Sequence, residues 1–202
     1  LAQFTDQYIQ SSQKVGPSMA DDIKNAAFLA VVFAMFCMAS YILLRFRDIS
    51  FSVGAFASVA VTTLCIISFY TLLWKVLPFS MEVDQTFIAA ILTIIGYSIN
   101  DTVVVFDRIR ETIGLYPKRD RYQVINDALN STLSRTFNTS LTTLVVVLCI
   151  FILGGATIRS FTFAILLGII IGTYSTLFVA TPIAYELQKK KINKKAAAEA
   201  GK

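Results

Sequence analysis

The sequence predicts an all-α integral membrane protein, a bundle of five transmembrane helices. Its 202 residues are 55% hydrophobic and only 15% charged, with a mean hydropathy of +0.66, whereas a soluble domain of this length is about 25% charged. The apolar residues are gathered into five stretches, each close to the ~20 residues that a helix needs to cross a bilayer. Strands would need about half that length with alternating polarity, which these stretches lack. The stretches are 26–44, 53–74, 87–106, 136–153 and 161–183.

Short polar side chains predict where the first three helices begin. Ser18 with Asp21 resembles a capping box in front of the first span, and an acidic side chain suits the positive end of a helix. Asp48 or Ser50 can cap the second span, because either side chain can accept a hydrogen bond from a free amide of the first turn. Asp84 can cap the third span in the same way.

Proline and glycine predict the remaining boundaries. Pro117 ends the third helix, and Asp120 starts an amphipathic helix that runs directly into the fourth span. The Gly154-Gly155 pair ends the fourth span. Pro182 lies near the end of the fifth span, where it should kink the helix or free a carbonyl group.

The distribution of basic residues predicts the orientation. Fourteen of the 18 lysines and arginines fall on one side, in the turn after the first span, the 107–135 connection and the C-terminal tail. Because basic residues are enriched in cytoplasmic loops, we expect these segments in the cytoplasm and the N-terminus outside. The predicted organisation is the end of an external domain at 1–17, a transmembrane bundle at 18–188, and a basic tail at 189–202 that lies at the lipid surface rather than binding nucleic acid.

The lack of histidine excludes several kinds of catalysis. No His occurs in the chain, which removes Ser-His-Asp triads, HExxH zinc sites and histidine proton relays. Cys37, Cys65 and Cys149 each lie in an apolar stretch and show no CxxC spacing. They are therefore expected to be free, small apolar residues rather than disulfides or zinc ligands. We expect neither enzymatic activity nor a metal or organic cofactor.

Polar residues interrupt the third span near its cytoplasmic end. They are Tyr97, Ser98, Asn100, Asp101 and Thr102. An acid inside a membrane helix costs several kcal/mol unless it is paired or protonated, so Asp101 is a candidate functional residue. An acid near the interface could instead snorkel or cap a helix. Asp101 lies about 8 Å inside the span, however, which is too deep for its short side chain to reach water unaided.

A polar stripe follows one face of the fourth span. Its members are spaced i, i+3, i+4, i+7 and i+8, and they are Arg135, Asn138, Thr139, Thr142 and Thr143. Such stripes often serve only to join helices, and both roles stay open for the threonines. Arg135 differs because it is a permanent charge at the head of the stripe.

The two polar regions are expected to meet. In an antiparallel hairpin of the third and fourth spans, Asp101 and Arg135 lie about 20 and 24 Å from the turn, at nearly the same depth. Pairing would lower the cost of both charges. An acid that can be charged or neutral, facing an arginine that cannot change, is a proton-binding site. We therefore predict a proton relay of Asp101 and Arg135, with supporting polar roles for Tyr97, Ser98, Asn100, Thr102, Asn138, Thr139 and Thr142.

The fifth span carries a pattern of small residues. Gly168 and Gly172 form a GxxxG motif, which Thr176 and Ala180 continue at the same spacing. Small residues let another helix approach closely. We therefore expect Gly168 and Gly172 to serve helix packing rather than chemistry.

Together these residues resemble the SecF family of the RND transporter superfamily, over nearly the whole chain. The segment 96–111 is similar to the family's signature helix in a long and specific match. Arg135-Thr136 with Thr139-Ser140 resembles the motif of the following helix. The segment 15–18 resembles the end of the family's periplasmic domain.

The resemblance implies that the chain holds helices two to six of a SecF-type six-helix unit. It implies a multi-pass protein of the bacterial inner membrane that couples the proton motive force to translocation and release of secreted proteins. Asp101 would be the proton-carrying acid and Arg135 its partner, with the proton as coupling ion. The implied partners are SecD, separate or fused upstream, the SecYEG channel with associated Sec components, secreted preproteins and the lipid bilayer.

One departure and three alternatives accompany this interpretation. Many SecF proteins carry a His-Asp pair in the helix that here includes 54–62, where this chain has neither residue, so no role of that pair is carried over. Another RND-type exporter would share the hairpin chemistry. An intramembrane aspartyl protease needs two facing acids, and no second acid lies within another span. A structural scaffold would be indifferent to replacement of Asp101 by asparagine.

Overall fold

The computed structural model describes residues 17–77, 79, 81 and 84–200, and all regular structure within them is helical. The helices are α1 (Pro17–Phe46), α2 (Ile49–Leu73), α3 (Gln85–Leu115), α4 (Arg121–Leu153), α5 (Ala156–Ser175) and α6 (Thr181–Ala200), with a π-helical turn (Thr176–Ala180) joining the last two. Residues 1–16, and with them most of the predicted end of an external domain, lie outside the described residues. So do the side chains of Ser18 and Asp21, on which the predicted first cap depends.

Two aspartates cap helices as the sequence predicts. Asp48 Oδ1 accepts a hydrogen bond from the Ser50 amide at 3.1 Å, at the start of α2. Asp84 Oδ1 accepts one from the Phe87 amide at 2.9 Å, at the start of α3. Asp120 stands at the start of α4 but makes no hydrogen bond of this kind through its side chain.

Five helical segments are long and apolar enough to cross a membrane. They are Asn25–Phe46, Ile49–Leu73, Gln85–Leu115, Arg121–Leu153 and Thr157–Lys194. The predicted fold class and number of spans are therefore confirmed. The fifth segment extends well beyond the predicted 161–183, because α5, the π turn and α6 continue one another and helix runs on through most of the predicted basic tail.

The π turn lies directly before Pro182. A proline inside a helix removes the donor for the carbonyl group four residues earlier and crowds it, and such disturbances are often absorbed by a π bulge. The Thr181 hydroxyl donates to the Thr176 carbonyl oxygen at 3.3 Å within this turn. The irregularity predicted near Pro182 is thus a widened turn just upstream of it.

Helix α3 lies at the centre of the bundle, in contact with α1, α2, α4 and α5. At one end Phe106 packs between Phe46 and Phe51, with ring centroids 6.0 and 4.8 Å away. Near the other end Tyr70 packs against Phe87 at 4.4 Å, and its hydroxyl donates to the carbonyl oxygen of Ser160. Aromatic contacts therefore hold both ends of the bundle around α3.

The outer helices keep apolar surface uncovered. On α1, Phe28 and Phe36 are 73% and 68% exposed, and on α4 Phe137 and Val146 are also exposed. In water such a surface would favour aggregation, whereas in a bilayer it contacts lipid tails or neighbouring subunits. The three cysteines are free; Cys37 of α1 and Cys149 of α4 are exposed, and Cys65 of α2 is half-buried.

Candidate functional site

Asp101 lies in the middle of the bundle. Only 5% of the surface of Asp101 is exposed. Its neighbours on α3, Thr102 and Val105, are also buried. The position follows from α3 being the central helix, so that the face bearing Ser98, Asp101 and Val105 meets other helices rather than lipid. The structure therefore places the predicted acid inside protein.

Two hydroxyl groups connect Asp101 to neighbouring helices. Ser140 of α4 donates to Asp101 Oδ2 over 3.5 Å, a long hydrogen bond. The Ser140 hydroxyl also lies 2.7 Å from the hydroxyl of Thr173 on α5. This short chain joins α3, α4 and α5 at the level of the acid.

A second group of hydroxyls lies beside the first. Thr102 and Thr176, both fully buried, face each other at 3.0 Å across α3 and the π turn. Ser175 donates to the Ser58 carbonyl oxygen of α2 at 3.0 Å. Small hydroxyl residues from α2, α3, α4 and α5 thus form a polar belt through an otherwise apolar bundle.

Three buried hydroxyls of the site have no hydrogen-bond partner within the described part of the chain. They belong to Ser58, Tyr97 and Ser98. An unsatisfied buried hydroxyl costs about 1–3 kcal/mol, and such groups are commonly satisfied by buried water. Ser98 also lies opposite Gly172, where an added Cβ would stand 3.6 Å from the serine oxygen. The belt therefore has unused hydrogen-bonding capacity close to Asp101.

Arg135 does not form the predicted ion pair with Asp101. The ion pairs among the described residues are Arg45–Asp107, Arg108–Glu111, Arg119–Asp127 and Lys191–Asp48. Arg135 instead points its exposed side chain into a cavity of about 560 Å³ between α3 and α4. The hairpin predicted from the sequence is present, whereas contact between the two charges is not.

This cavity, termed here the hairpin cavity, is lined by Val104, which lies about one helical turn along α3 from Asp101. Arg108 crosses it, donating to Glu111 at 2.8 Å and to Ser131 at 3.0 Å. Its lining residues are Val104, Asp107, Arg108, Glu111, Ser131, Thr132 and Arg135. Since all but one of these are polar or charged, the hairpin cavity can hold water.

The other predicted supporting residues divide between the inside and the outside of the bundle. Tyr97, Ser98 and Thr102 face inward. Asn100, Asn138 and Thr142 are exposed, and Thr139 is half-buried. Thr139 and Thr142 donate to carbonyl groups one turn earlier in their own helix.

The buried polar face of α4 is a different one from that predicted. It consists of Thr132, Thr136 and Ser140, which are all buried and spaced four residues apart. The predicted supporting residues on α4 followed the face that contains Arg135. Ser140 was named only in the resemblance to the family motif and Thr176 only in the small-residue pattern, and Thr173 was not named. The i, i+4, i+8 spacing of the three α4 hydroxyls was the signal that could have assigned Ser140 to the site.

The two glycines of the fifth span face α3. A Cβ added at Gly168 would collide with the side chain of Ile94, and one added at Gly172 would make ordinary contact with Ser98 and Thr62. No group of three or more His, Cys, Asp or Glu side chains that could hold a metal ion occurs among the residues described.

Comparison with known proteins gives a consistent set of relatives. The family model for the C-terminal part of protein export membrane proteins SecD/SecF matches residues 2–190. Protein translocase subunit SecF of Rhodothermus marinus is 48% identical over 176 residues, which are 87% of this chain and 57% of that protein. The SecF subunit of Dictyoglomus turgidum is 43% identical over 175 residues, 85% of this chain and 57% of that protein. The chain thus spans little more than half the length of these curated relatives.

A solved structure resembles the bundle as well. The crystal structure of SecDF in its super-membrane-facing form superposes with a TM-score of 0.79 at 35% identity. The superposition covers 91% of this chain but only 24% of the SecDF chain.

Proposed function

The chain belongs to the SecD/SecF protein-export membrane family, and from that premise we propose that it couples the proton motive force to the translocation and release of secreted proteins. SecD, the SecYEG channel and preproteins are its proposed partners in the bacterial inner membrane. The N-terminus faces the periplasm and the C-terminus the cytoplasm, as the asymmetry of basic residues supports.

The observation that carries the proposal is the isolation of Asp101. The carboxyl group is buried at the centre of a membrane-length helix, with one long hydrogen bond from Ser140 and no ion pair within the described residues. A charged Asp at such a depth costs about 2.5–3.5 kcal/mol on an insertion scale. An acid held at that cost, where a neutral side chain would be cheaper, is suited to taking up and releasing protons.

The hairpin cavity supports a route for those protons. It lies between Asp101 and the side of the bundle that bears the 107–135 connection, and its acids Asp107 and Glu111 line the way. Arg135 stands within it, where its fixed charge favours the ionised carboxylate and hinders the passage of other cations. Water in this cavity would bring protons to within about one helical turn, ~5 Å, of Asp101.

The hydroxyl chain supports a way to convert protonation into movement. An ionised carboxylate only accepts hydrogen bonds, so Ser140 donates its single proton to Asp101 in that state. A protonated Asp101 can itself donate, and Ser140 then donates to Thr173, 2.7 Å away on α5. Proton uptake by α3 therefore reverses a hydrogen bond that joins α4 to α5.

The energies are compatible with such a cycle. One proton crossing 100 mV supplies about 2.3 kcal/mol. Reversing or losing one hydrogen bond between membrane helices is worth about 0.6 kcal/mol on average and up to about 1.7 kcal/mol. The free energy supplied by one translocated proton therefore exceeds the free energy of the Ser140–Thr173 hydrogen bond, so it is sufficient to change that contact between helices.

The outward polar face of α4 supports a partner helix at the site. Asn138 and Thr142 are exposed on a membrane-spanning helix with few buried residues, where lipid tails offer no hydrogen bonds. The Thr142 hydroxyl already donates within its own helix. A second membrane subunit with polar groups at this depth would supply hydrogen bonds to the Asn138 amide and complete the surroundings of Arg135. We assign this face to SecD.

Secretion of a reporter protein, measured with and without a proton gradient, tests the proposal. We expect Asp101→Asn to abolish the response to the gradient while assembly in the membrane is retained, and Asp101→Glu to keep part of it. Arg135→Lys should be impaired, because a point charge does not replace the forked guanidinium.

The matched control is Asp127→Asn. Asp127 is an acid of α4 that is half-exposed, is paired with Arg119 at 2.8 Å and does not line the hairpin cavity. This variant should respond to the gradient nearly as the parent does. If Asp101→Asn also responds fully, Asp101 is structural, and the chain acts as a scaffold without proton chemistry.

A further inference from the structure

A second cavity, separate from the hairpin cavity, lies at the end of the bundle where α1 turns into α2. Its volume is about 360 Å³, within the usual range of small-molecule sites. It is bounded by the α1–α2 turn, the end of α3, the start of α4 and the middle of α6. None of its lining residues lines the hairpin cavity. We call it the turn cavity.

Positive charge converges on the turn cavity. Its lining includes four cations and one acid, which are Arg47, Arg110, Arg121, Lys191 and Asp48. Lys191 lies 3.4 Å from Asp48, while the three arginines are in none of the ion pairs among the described residues. Arg110 donates only to the Arg45 carbonyl oxygen, at 3.4 Å. Three guanidinium groups therefore share a cavity whose one carboxylate is paired with Lys191, which favours an anionic occupant.

The backbone holds one of these cations in an unfavourable conformation. Arg47 has φ of +53°, the single positive value at a non-glycine position among the residues described. Its amide donates to the Leu43 carbonyl oxygen at 2.8 Å and so closes the end of α1. Glycine or asparagine would adopt this left-handed cap at lower cost. An arginine here is explained by a role for its side chain at the rim of the cavity.

Apolar side chains also line the turn cavity. They are Phe46, Phe51, Ile113 and Ile192, and Phe46 and Phe51 belong to the aromatic cluster at this end of α3. A site for free phosphate needs no apolar lining. A phospholipid brings a charged phosphodiester together with apolar acyl chains, so it matches a lining of both kinds.

The location fits such an occupant. The turn at Arg47 and Asp48 joins two membrane-length helices, so it lies at the depth of lipid headgroups. Basic pockets between transmembrane helices on the cytoplasmic side are a recurring form of headgroup site. We propose that the turn cavity binds the headgroup of an anionic phospholipid, with its phosphodiester held by Arg47, Arg110 and Arg121 and its glycerol region packed on Phe46 and Phe51.

Retention of lipid by the detergent-purified protein, measured by native mass spectrometry, tests this proposal. Phosphatidylglycerol should remain bound, whereas phosphatidylcholine at the same concentration should not. The double variant Arg47→Gln/Arg110→Gln should weaken binding of phosphatidylglycerol by about fivefold for each arginine removed. The double variant Lys194→Gln/Arg159→Gln removes the same charge from α6 and α5, at residues that do not line the cavity. It serves as the charge-matched control and should bind as the parent does.

A variant that should bind more lipid distinguishes a loss of lipid binding from a loss of folding. Asp48→Asn keeps a residue that can cap α2, but it removes the only acid of the turn cavity and releases Lys191. It should bind phosphatidylglycerol more tightly than the parent.

Three results would overturn the proposal. An equal loss in the control variant would show attraction by overall charge alone. Equal retention of phosphatidylcholine would show binding through acyl chains alone. Displacement of the lipid by millimolar inorganic phosphate or glycerol phosphate would identify the cavity as a site for a soluble anion.

Discussion

Replacing Gly54 with alanine tests how closely α2 approaches the fifth span. A Cβ at Gly54 would stand 2.5 Å from the carbonyl oxygen of Ala180, and within 3.3 Å of the backbone nitrogen and Cβ of Ala184. The carbonyl contact is about 0.9 Å shorter than the closest ordinary contact of 3.4 Å. Because the obstructing oxygen belongs to backbone, a change of rotamer cannot relieve it, and one helix must move.

The expected cost follows from a comparison with Gly96. An added Cβ there meets no heavy atom within 4 Å. Alanine gains up to about 1 kcal/mol over glycine in a helix, and this gain is similar for both positions and cancels in the difference. The remaining term is overpacking, which costs about 1–3 kcal/mol. Gly54→Ala should therefore be less stable than Gly96→Ala by that amount.

Denaturant unfolding in mild detergent measures this difference. The single tryptophan, Trp74, directly follows α2, so its fluorescence reports on the helix that carries Gly54. A difference between the two variants below about 0.5 kcal/mol, the usual effect of surface substitutions, would refute the packing of α2 against Ala180 and Ala184.

Two further predictions concern the site and the topology. Thr102→Val should destabilise the bundle, because the hydroxyls of Thr102 and Thr176 face each other at 3.0 Å. A double-mutant cycle with Thr176→Val should give a coupling free energy of about 0.6 kcal/mol. A coupling near zero would mean that each hydroxyl is satisfied within its own helix. Cysteines can be introduced at Lys118 and Val76 in a background from which the three native cysteines are removed. Lys118→Cys should react with an impermeant reagent from the cytoplasmic side, and Val76→Cys from the periplasmic side. Labelling of Lys118→Cys from outside only would show that the proposed orientation is reversed.

Much of the fold could be predicted because a bilayer restricts the choices. An apolar stretch of about 20 residues has few alternatives to a membrane-spanning helix, and Asp48 and Asp84 mark helix starts through purely local chemistry. The length of the fifth span was less predictable. The helix continues through Lys189–Lys191 because charged residues with long side chains are good helix formers in water, so hydropathy marks only the part that lies in lipid.

The site was predictable where one residue carried the signal. Asp101 stands out because an acid in an apolar helix is rare, whatever surrounds it. Its partners depend on how α4 is rotated about its axis, and neither Ser140 nor Thr136 is unusual enough alone to fix that rotation. Arg135 drew attention to its own face, whereas the packing of α4 on α5 buries the neighbouring face. Contacts between helices, which the local sequence does not reveal, therefore determine which face of α4 meets Asp101.

The π turn divides the fifth span into two arms with different attachments. The arm before it, α5, contacts α2, α3 and α4, whereas the arm after it, α6, packs mainly on α2, with Ala184 next to Gly54. A straight, uniformly bonded rod would transmit any tilt of one arm to the other. A π-helical turn interrupts the regular hydrogen-bond pattern, so the arm that carries Thr173 can tilt without an equal tilt of the arm after the turn. The hinge stands where Thr176 meets Thr102, one residue along α3 from Asp101.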